Sequence, residues 1–415
     1  MRYLDAVYAF FVAAAVAVLL TPLAGRLAHR VGAISYPSDR GLSKKPTPEL
    51  GGLAILAGVV LAAAIWMPTK IGLAPSPHAA LGTAGVVHTW VVIAGAVLIT
   101  LIGAIDDVVD LHPLLKLLGQ IGVAVVAVRG GAVIEDLTLP FVGSLQFTDS
   151  SGPLTVVWLV ALMNVVNFSD GVDGLAAGVC TIDGIAFAVI AFNLQGGGSS
   201  AAVLAAITAG ASLGFLFHNF YPAKIFMGDT GSNLLGYLIG IAAVIGSIKT
   251  SVVLSLAVPL VILAVPFLDT GFVVAKRLKY GRAPWRPDAN HFHHRMARIG
   301  FSQRRTVAYL YAWSAMLAGV AISLRFIPYD RGDGTLRAGW AILEGAILLF
   351  AAAASVYLVY VLEIFKFKIH RAVHLRSINP SSTDEEIHEQ VERDVGTGEF
   401  DALDDSSHDD ESGDQ

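Results

Sequence analysis

Eleven stretches of this chain are each long and apolar enough to cross a lipid bilayer, and that leaves the fold little freedom. A spanning helix needs about 20 mostly apolar residues, with roughly 17–25 tolerated. Apolar runs of about this length, the shortest 16 residues, fall near 6–28, 51–67, 88–105, 113–128, 153–169, 174–194, 200–218, 232–247, 252–275, 306–326 and 338–362. The expected fold class is therefore an all-α polytopic membrane protein with about eleven transmembrane helices. Composition agrees, with 55% hydrophobic and 15% charged residues against roughly 25% charged in a soluble domain. An ordinary cytosolic, secreted or nucleic-acid-binding protein is excluded. The first run is too long for a signal peptide and ends in Gly25, Arg26, Leu27, Ala28, His29 and Arg30 without a cleavage site. The single cysteine, Cys180, lies in an apolar run, which excludes a disulfide framework and a cysteine zinc site.

Charge gives the orientation. With eleven spans, 21 Lys and Arg fall in loops on one side and 7 on the other. The basic side is the cytoplasmic one, so the N-terminus is expected outside and the C-terminus in the cytoplasm. The overall charge of −5 averages two unlike parts: from Ser377 onward there are 14 acids and one base, leaving the body net basic. Two regions follow, a polytopic transmembrane domain over 1–370 and an acidic cytoplasmic tail over 371–415. The tail has too few large apolar residues to offset its ordering entropy and is expected to be disordered. The stretches 68–87 and 129–152 read as outer loops, the second with a short hairpin over 137–147.

Five polar clusters interrupt the apolar pattern, and the topology places all five on the cytoplasmic side. They are Lys44 and Lys45 running into Gly51 and Gly52; Asp106, Asp107 and Asp110 with Lys116; Asn164, Asn167, Asp170 and Asp173 with Gly174; Phe226 through Ser232, which holds Asp229; and His291, His293, His294 and Arg295. Ionisable residues at a membrane are costly and mark function when they converge. Each cluster also has a structural explanation. Asp170, Asp173 and Asp229 stand where helix N-caps stand, the glycine pairs suit close packing, and the lysines satisfy the positive-inside bias. Asp183 and Asp269 lie inside apolar runs and face polar seams without an assigned role.

Adjacent carboxylates with an asparagine are hard oxygen ligands, suited to Mg²⁺ or Mn²⁺ rather than Zn²⁺. Glycine-rich turns before helix starts offer N–H groups and a positive dipole end to anions. Lysine, arginine and histidine supply charge for phosphate oxygens. Together they point to phosphoryl chemistry at the cytoplasmic mouth of the bundle, on a partly lipidic substrate, with catalysis by positioning and charge neutralisation. No Walker-type loop is present, so ATP is not indicated. A secondary transporter for a divalent cation or nucleotide sugar competes, but such a protein places its ionisable groups near the midplane.

In this order and spacing the motifs resemble the polyprenyl-phosphate N-acetylhexosamine-1-phosphate transferases, over roughly residues 1–370. The resemblance rests on Gly51 and Gly52, Asp106 and Asp107, the 164–174 segment, Met227 through Ser232, and residues 291–295. It implies a bacterial plasma-membrane enzyme that joins a cytoplasmic UDP-HexNAc to polyprenyl phosphate and releases UMP. It further implies that Asp229 and Asn167 hold Mg²⁺, and that Asp106, Asp107 and Lys116 meet the lipid phosphate and the transferred phosphate. Asp106, Asp107 and Asp229 are thereby the expected catalytic residues. Phe226 would stack on uracil, Asp170 and Asp173 would bind the nucleotide, and His291, His293, His294 and Arg295 the diphosphate or sugar. Asn164 and Lys45 complete the expected binding residues, and a homodimer is compatible. The pattern His-Phe-His-His-Arg looks like the branch that transfers GlcNAc-1-phosphate; the alternative is the phospho-MurNAc-pentapeptide transferases of peptidoglycan synthesis.

Overall fold

In the computed structural model, residues 3–36, 45–72, 86–134, 136–139, 143–146, 150–192, 198–247, 302–328, 337–378, 383, 385–387 and 389–391 are described. Their elements, in chain order, are α1 (Tyr3–Val31), β1 (Ile34–Ser35), β2 (Thr47–Pro48), α2 (Gly52–Trp66), β3 (Lys70–Gly72), β4 (Val86–His88), α3 (Thr89–Val109) and α4 (Pro113–Arg129). There follow β5 (Asp136–Leu139), β6 (Gly143–Gln146), α5 (Ser151–Ser169), α6 (Leu175–Phe192), α7 (Gly198–Asn219), α8 (Gly228–Ser247), α9 (Gln303–Phe326) and α10 (Ala338–Ile378). Ten of the eleven expected runs coincide with these helices, and the run at 252–275 lies outside the described residues. Seven of them (α1, α3, α5, α6, α7, α9 and α10) are long and apolar enough to cross a membrane, and α2 is a shorter apolar helix. The chain is a mostly helical, polytopic membrane protein.

Packing follows membrane rules, with small residues inside and large ones outside. The buried stripe of α1 is Ala6, Ala9, Ala13, Ala17, Thr21, Ala24 and Ala28, at helical spacing. Its exposed face carries Tyr8, Phe11 and Leu19, the last 71% accessible. Lipid is as apolar as leucine, so helices associate through close backbone approach rather than by hiding large side chains. Accordingly α1 packs along α7 and α2. A Cβ on Gly210 or Gly214 of α7 would overlap the carbonyl oxygens of Phe10 and Ala14, and one on Gly58 of α2 would lie 2.6 Å from that of Ala13. The central helix α7 is buried over 83% of its apolar window, whereas peripheral α10 is buried over 11%.

Helix ends alternate. The starts of α2, α4, α6, α8 and α9 and the ends of α1, α3, α5 and α7 meet at one end of the bundle, linked by contacts such as Glu49 N–H to Ala33 O (3.0 Å) and Tyr311 Oη to Gly174 O (2.5 Å). The opposite end carries the antiparallel pairs β3–β4 and β5–β6. The second of these is the hairpin expected over 137–147; the first, in register Lys70 to His88, was not foreseen. A further small pair, β1–β2, lies at the converging end. The tail boundary drawn at residue 370 falls inside α10, which has 41 residues and at 1.5 Å per residue reaches about 60 Å, roughly twice the hydrocarbon thickness. Beyond it, 385–387 and 389–391 are helical, with Ile387 and Val391 buried.

Candidate active site

The start of α8 organises the converging end. Gly228 takes a positive φ of 67°, open to glycine without steric cost, and a Cβ there would overlap the Asp107 carboxylate. That carboxylate, from the last turn of α3, accepts hydrogen bonds from the backbone N–H of Asp229 (2.7 Å) and Thr230 (3.1 Å) and from Thr230 Oγ1 (2.5 Å). A side chain 122 residues away thus performs the capping that a preceding residue normally supplies, and the anion lies at the positive end of the helix dipole. This explains why α8 begins at Gly228, four residues before the apolar run expected at 232.

Asp229, so placed, is the hub. Asn167 Nδ2 of α5 donates to its Oδ1 (2.5 Å) and to Ser232 Oγ (2.8 Å). Lys116 pairs with Asp229 Oδ2 and with Asp106 Oδ2, the latter at 3.4 Å. Lys116 reaches this point because His112 and Pro113 start α4 abruptly, the His112 ring accepting from Leu114 N–H at 3.3 Å. Asp106 is held by Leu111 N–H at 2.8 Å across a turn in which Asp110 is left-handed, φ 52°. The Lys116, Asp106 and Asp229 side chains keep 19%, 13% and 20% of their surface exposed, so the cluster is partly open at the surface.

The segment preceding α2 closes one side. Phe226 N–H donates to Pro48 O (2.8 Å), while Gly51 and Gly52 N–H donate to Phe226 O and Met227 O (both 3.1 Å). The same segment brings in Glu49, which the sequence motifs did not single out. Burial, then Asp107 and Asp106, raise its carboxyl to about 7, against a bond from Ser35 that lowers it. Asp170 is raised well above the usual carboxylate range by burial, then by Asp107, Glu49 and Asp173. Burial also raises Asp173, opposed by Ala223 N–H and the Gln303 side chain. A carboxyl whose folded value exceeds its unfolded 4.5 makes the native state bind more protons, so stability falls as pH rises from about 4.5 to about 7. Glu49→Gln is expected to match wild type in melting temperature near pH 4.5 and to exceed it at pH 8. Equal melting temperatures across that range would remove Glu49 from the acidic group.

The expected residues therefore divide. Asp106, Asp107, Lys116, Asn167 and Asp229 meet directly. Asp173 Oδ2 accepts from Ala223 N–H at 2.9 Å, tying the start of α6 to the turn before α8. Phe226 is half-buried against Pro48, and Lys45 is exposed at the entry to β2. Asn164 lies one turn below Asn167, its amide donating to Gln120 Oε1 (2.7 Å) and Val160 O (2.8 Å). His291, His293, His294 and Arg295, like Asp269, lie outside the described residues. Asp183 is fully buried in α6, and neither carboxylate oxygen has a hydrogen-bond partner among the described residues, so no polar seam surrounds it there.

A bundle of long apolar helices gathering carboxylates, amides and a lysine at one end is an integral membrane protein with a charged cluster at that end. A family model described as glycosyl transferase family 4 matches residues 89–247, the stretch from α3 to α8. The chain is 37% identical over 328 residues to the probable undecaprenyl-phosphate N-acetylglucosaminyl 1-phosphate transferase of Bacillus subtilis, covering 78% of this chain and 86% of that protein. It is 38% identical over 346 residues to the decaprenyl-phosphate N-acetylglucosaminephosphotransferase of Mycolicibacterium smegmatis, covering 78% and 82%. A phospho-N-acetylmuramoyl-pentapeptide-transferase of Desulforamulus reducens is 32% identical over 299 residues, covering 68% and 83%. The chain belongs to glycosyl transferase family 4.

Proposed function

We propose that the protein transfers GlcNAc-1-phosphate from UDP-GlcNAc to a polyprenyl phosphate and releases UMP. The observation that carries this reading is the meeting of Asp106, Lys116, Asn167 and Asp229 in a chain of this family whose relatives at 37% and 38% identity are named for that transfer. In the step, an oxygen of the lipid phosphate bonds to the sugar-bearing phosphorus. The bond from that phosphorus to the bridging oxygen breaks, and UMP leaves with the electron pair. The second proton of a phosphate monoester is lost near pH 6, so the nucleophile is already largely dianionic and needs no strong base.

A Mg²⁺ ion, or Mn²⁺, fits the donor set. Asp229 and Asn167 bring a carboxylate and an amide together beside Asp106, and the Lys116 ammonium shows that the cleft accommodates positive charge. Mg²⁺ is commonly held by one or two carboxylates together with substrate phosphates, and Asp229 with Asp106 beside it offers that number of carboxylates. Asp229 and Asn167 would hold it, and when bound it neutralises charge on the diphosphate. The chain's own groups do the rest. Lys116 stabilises the transferring phosphoryl oxygens, Asp106 orients the lipid phosphate through Lys116, and Asp107 fixes the start of α8. Asp170, Asp173 and Phe226 are assigned to the nucleotide, and the 291–295 motif to the sugar diphosphate.

The site is assigned to the cytoplasmic face of a bacterial plasma membrane, with eleven spans and the N-terminus outside. Three features support this. Helix ends alternate without exception from α1 to α8; α8 leaves at the far end while α9 begins at the site end, a change of side that the apolar run expected at 252–275 would supply; and Arg26, Arg30, Lys45, Lys116, Lys224, Arg304 and Arg305 all stand at the site end. The test is a donor panel with purified protein, Mg²⁺ and one polyprenyl phosphate. UMP release is expected with UDP-GlcNAc, weakly with UDP-GalNAc, and not after EDTA. Release only with UDP-MurNAc-pentapeptide would move the chain to the peptidoglycan branch. Liposome uptake without UMP would restore the transporter reading.

A further inference from the structure

A second polar layer lies one turn beneath the site. Gln120 follows Lys116 by four residues on α4, Asn233 follows Asp229 by four on α8, and Asn164 precedes Asn167 by three on α5. Each therefore shares a helix face with a site residue. The three side chains are joined in one direction. Asn164 Nδ2 donates to Gln120 Oε1 (2.7 Å), Gln120 Nε2 to Asn233 Oδ1 (2.7 Å), and Asn233 Nδ2 to the backbone oxygen of Asp229 (2.8 Å). Gln120 and Asn233 are each 1% exposed.

We propose that Gln120, Asn233 and Asn164 are positioning residues, an amide relay that locks α4, α5 and α8 in register and so holds Lys116 and Asn167 around Asp229. The inference rests on the phosphotransfer reading of that site. The direction of the relay is forced from its Asp229 end. The Asp229 carbonyl can only accept, so Asn233 turns its amide nitrogen there and its oxygen to Gln120. Gln120 must then present nitrogen to Asn233 and oxygen to Asn164. Slipping one helix by a residue moves its side chains 1.5 Å along the axis and turns them away, leaving buried amides unpaired where no water is available. The polar layer thus penalises every neighbouring register, which apolar contacts among alanines and leucines do not.

Gln120→Met and Asn233→Leu, compared with wild type and with Thr208→Val (a buried hydroxyl bonded to Leu204 O on α7), test this. Two readouts are taken on the full-length protein. The first is acetylation of lysines by acetic anhydride without substrates, read by peptide mass spectrometry as the ratio of Lys116 to exposed Lys224. An ammonium gripped by two carboxylates is a poor nucleophile, so the ratio is expected to rise several-fold in both relay variants and stay level in Thr208→Val. The second is UMP release, where kcat is expected to fall by about 10- to 100-fold with KM within about twofold, the mark of misplacement rather than lost binding. An unchanged ratio overturns the proposal whatever the kinetics show. If wild type releases no UMP, the functional reading fails alone, and the labelling ratio still decides the relay. If Gln120→Met unfolds, seen as all lysines rising together, Asn164→Ala removes only the outermost donor and decides by the same ratio.

Discussion

Asp229→Asn is expected to lower turnover in the UMP-release assay by about 10²- to 10³-fold, with a melting temperature close to wild type. The asparagine still accepts from Asn167, and Lys116 keeps Asp106, so the folded site survives. What is lost is the negative charge that pairs with Lys116 and would hold the ion. Asp107→Asn is expected to behave differently although it changes the same atom type. Its carboxylate accepts three hydrogen bonds at the start of α8, and an amide turns an N–H₂ toward donors it cannot satisfy. Activity and melting temperature should then fall together, because the helix start itself is disturbed. Near-full turnover in both variants would place the chemistry elsewhere.

Gly52→Ala is expected to be the most damaging single methyl. A Cβ at Gly52 would overlap the backbone N and Cα of Gly231, and Gly231 in turn lies against Gly52. Neither side has a flexible end to yield, so α2 must move away from α8. Overpacking of this kind costs about 1–3 kcal/mol. The displacement also breaks the Gly51 and Gly52 bonds to Phe226 and Met227 that close the site. Thermal melting in detergent and UMP release should both drop, activity more than stability. Gly122→Ala is the control, since nothing lies within 4 Å of its Cβ position and alanine suits a helix interior better than glycine. Loss of function there as well would show that α-helical glycines are generally intolerant and not that this approach is special.

Much of the architecture was legible one residue at a time. Ten of the expected apolar runs are helices, because a stretch of apolar residues carries its own reason to enter a bilayer and, once there, to satisfy its backbone internally. The polar clusters were visible for the complementary reason: an Asp or Asn at the rim of an apolar run is expensive unless something holds it. Asp106, Lys116, Asn167 and Asp229 could therefore be named before their geometry was known. The start of α8 was misplaced by four residues because the residues there are polar, and what makes them helical is Asp107, which arrives from another helix.

What each polar group does was decided by the tertiary structure. Asp107 and Asp106 are adjacent and alike, yet one caps α8 and the other faces Lys116. Asn164 and Asn167 are three apart, yet one enters the buried relay and the other meets Asp229. Glu49 carries no motif and gains its raised affinity for a proton only from the acids packed around it. Most of these roles depend on partners on other helices, 44 residues away for Asn164, 62 for Asn167 and 122 for Asp107. Run length and polarity are local quantities written along the chain, whereas a hydrogen-bond partner is fixed only when small residues allow particular helices to touch.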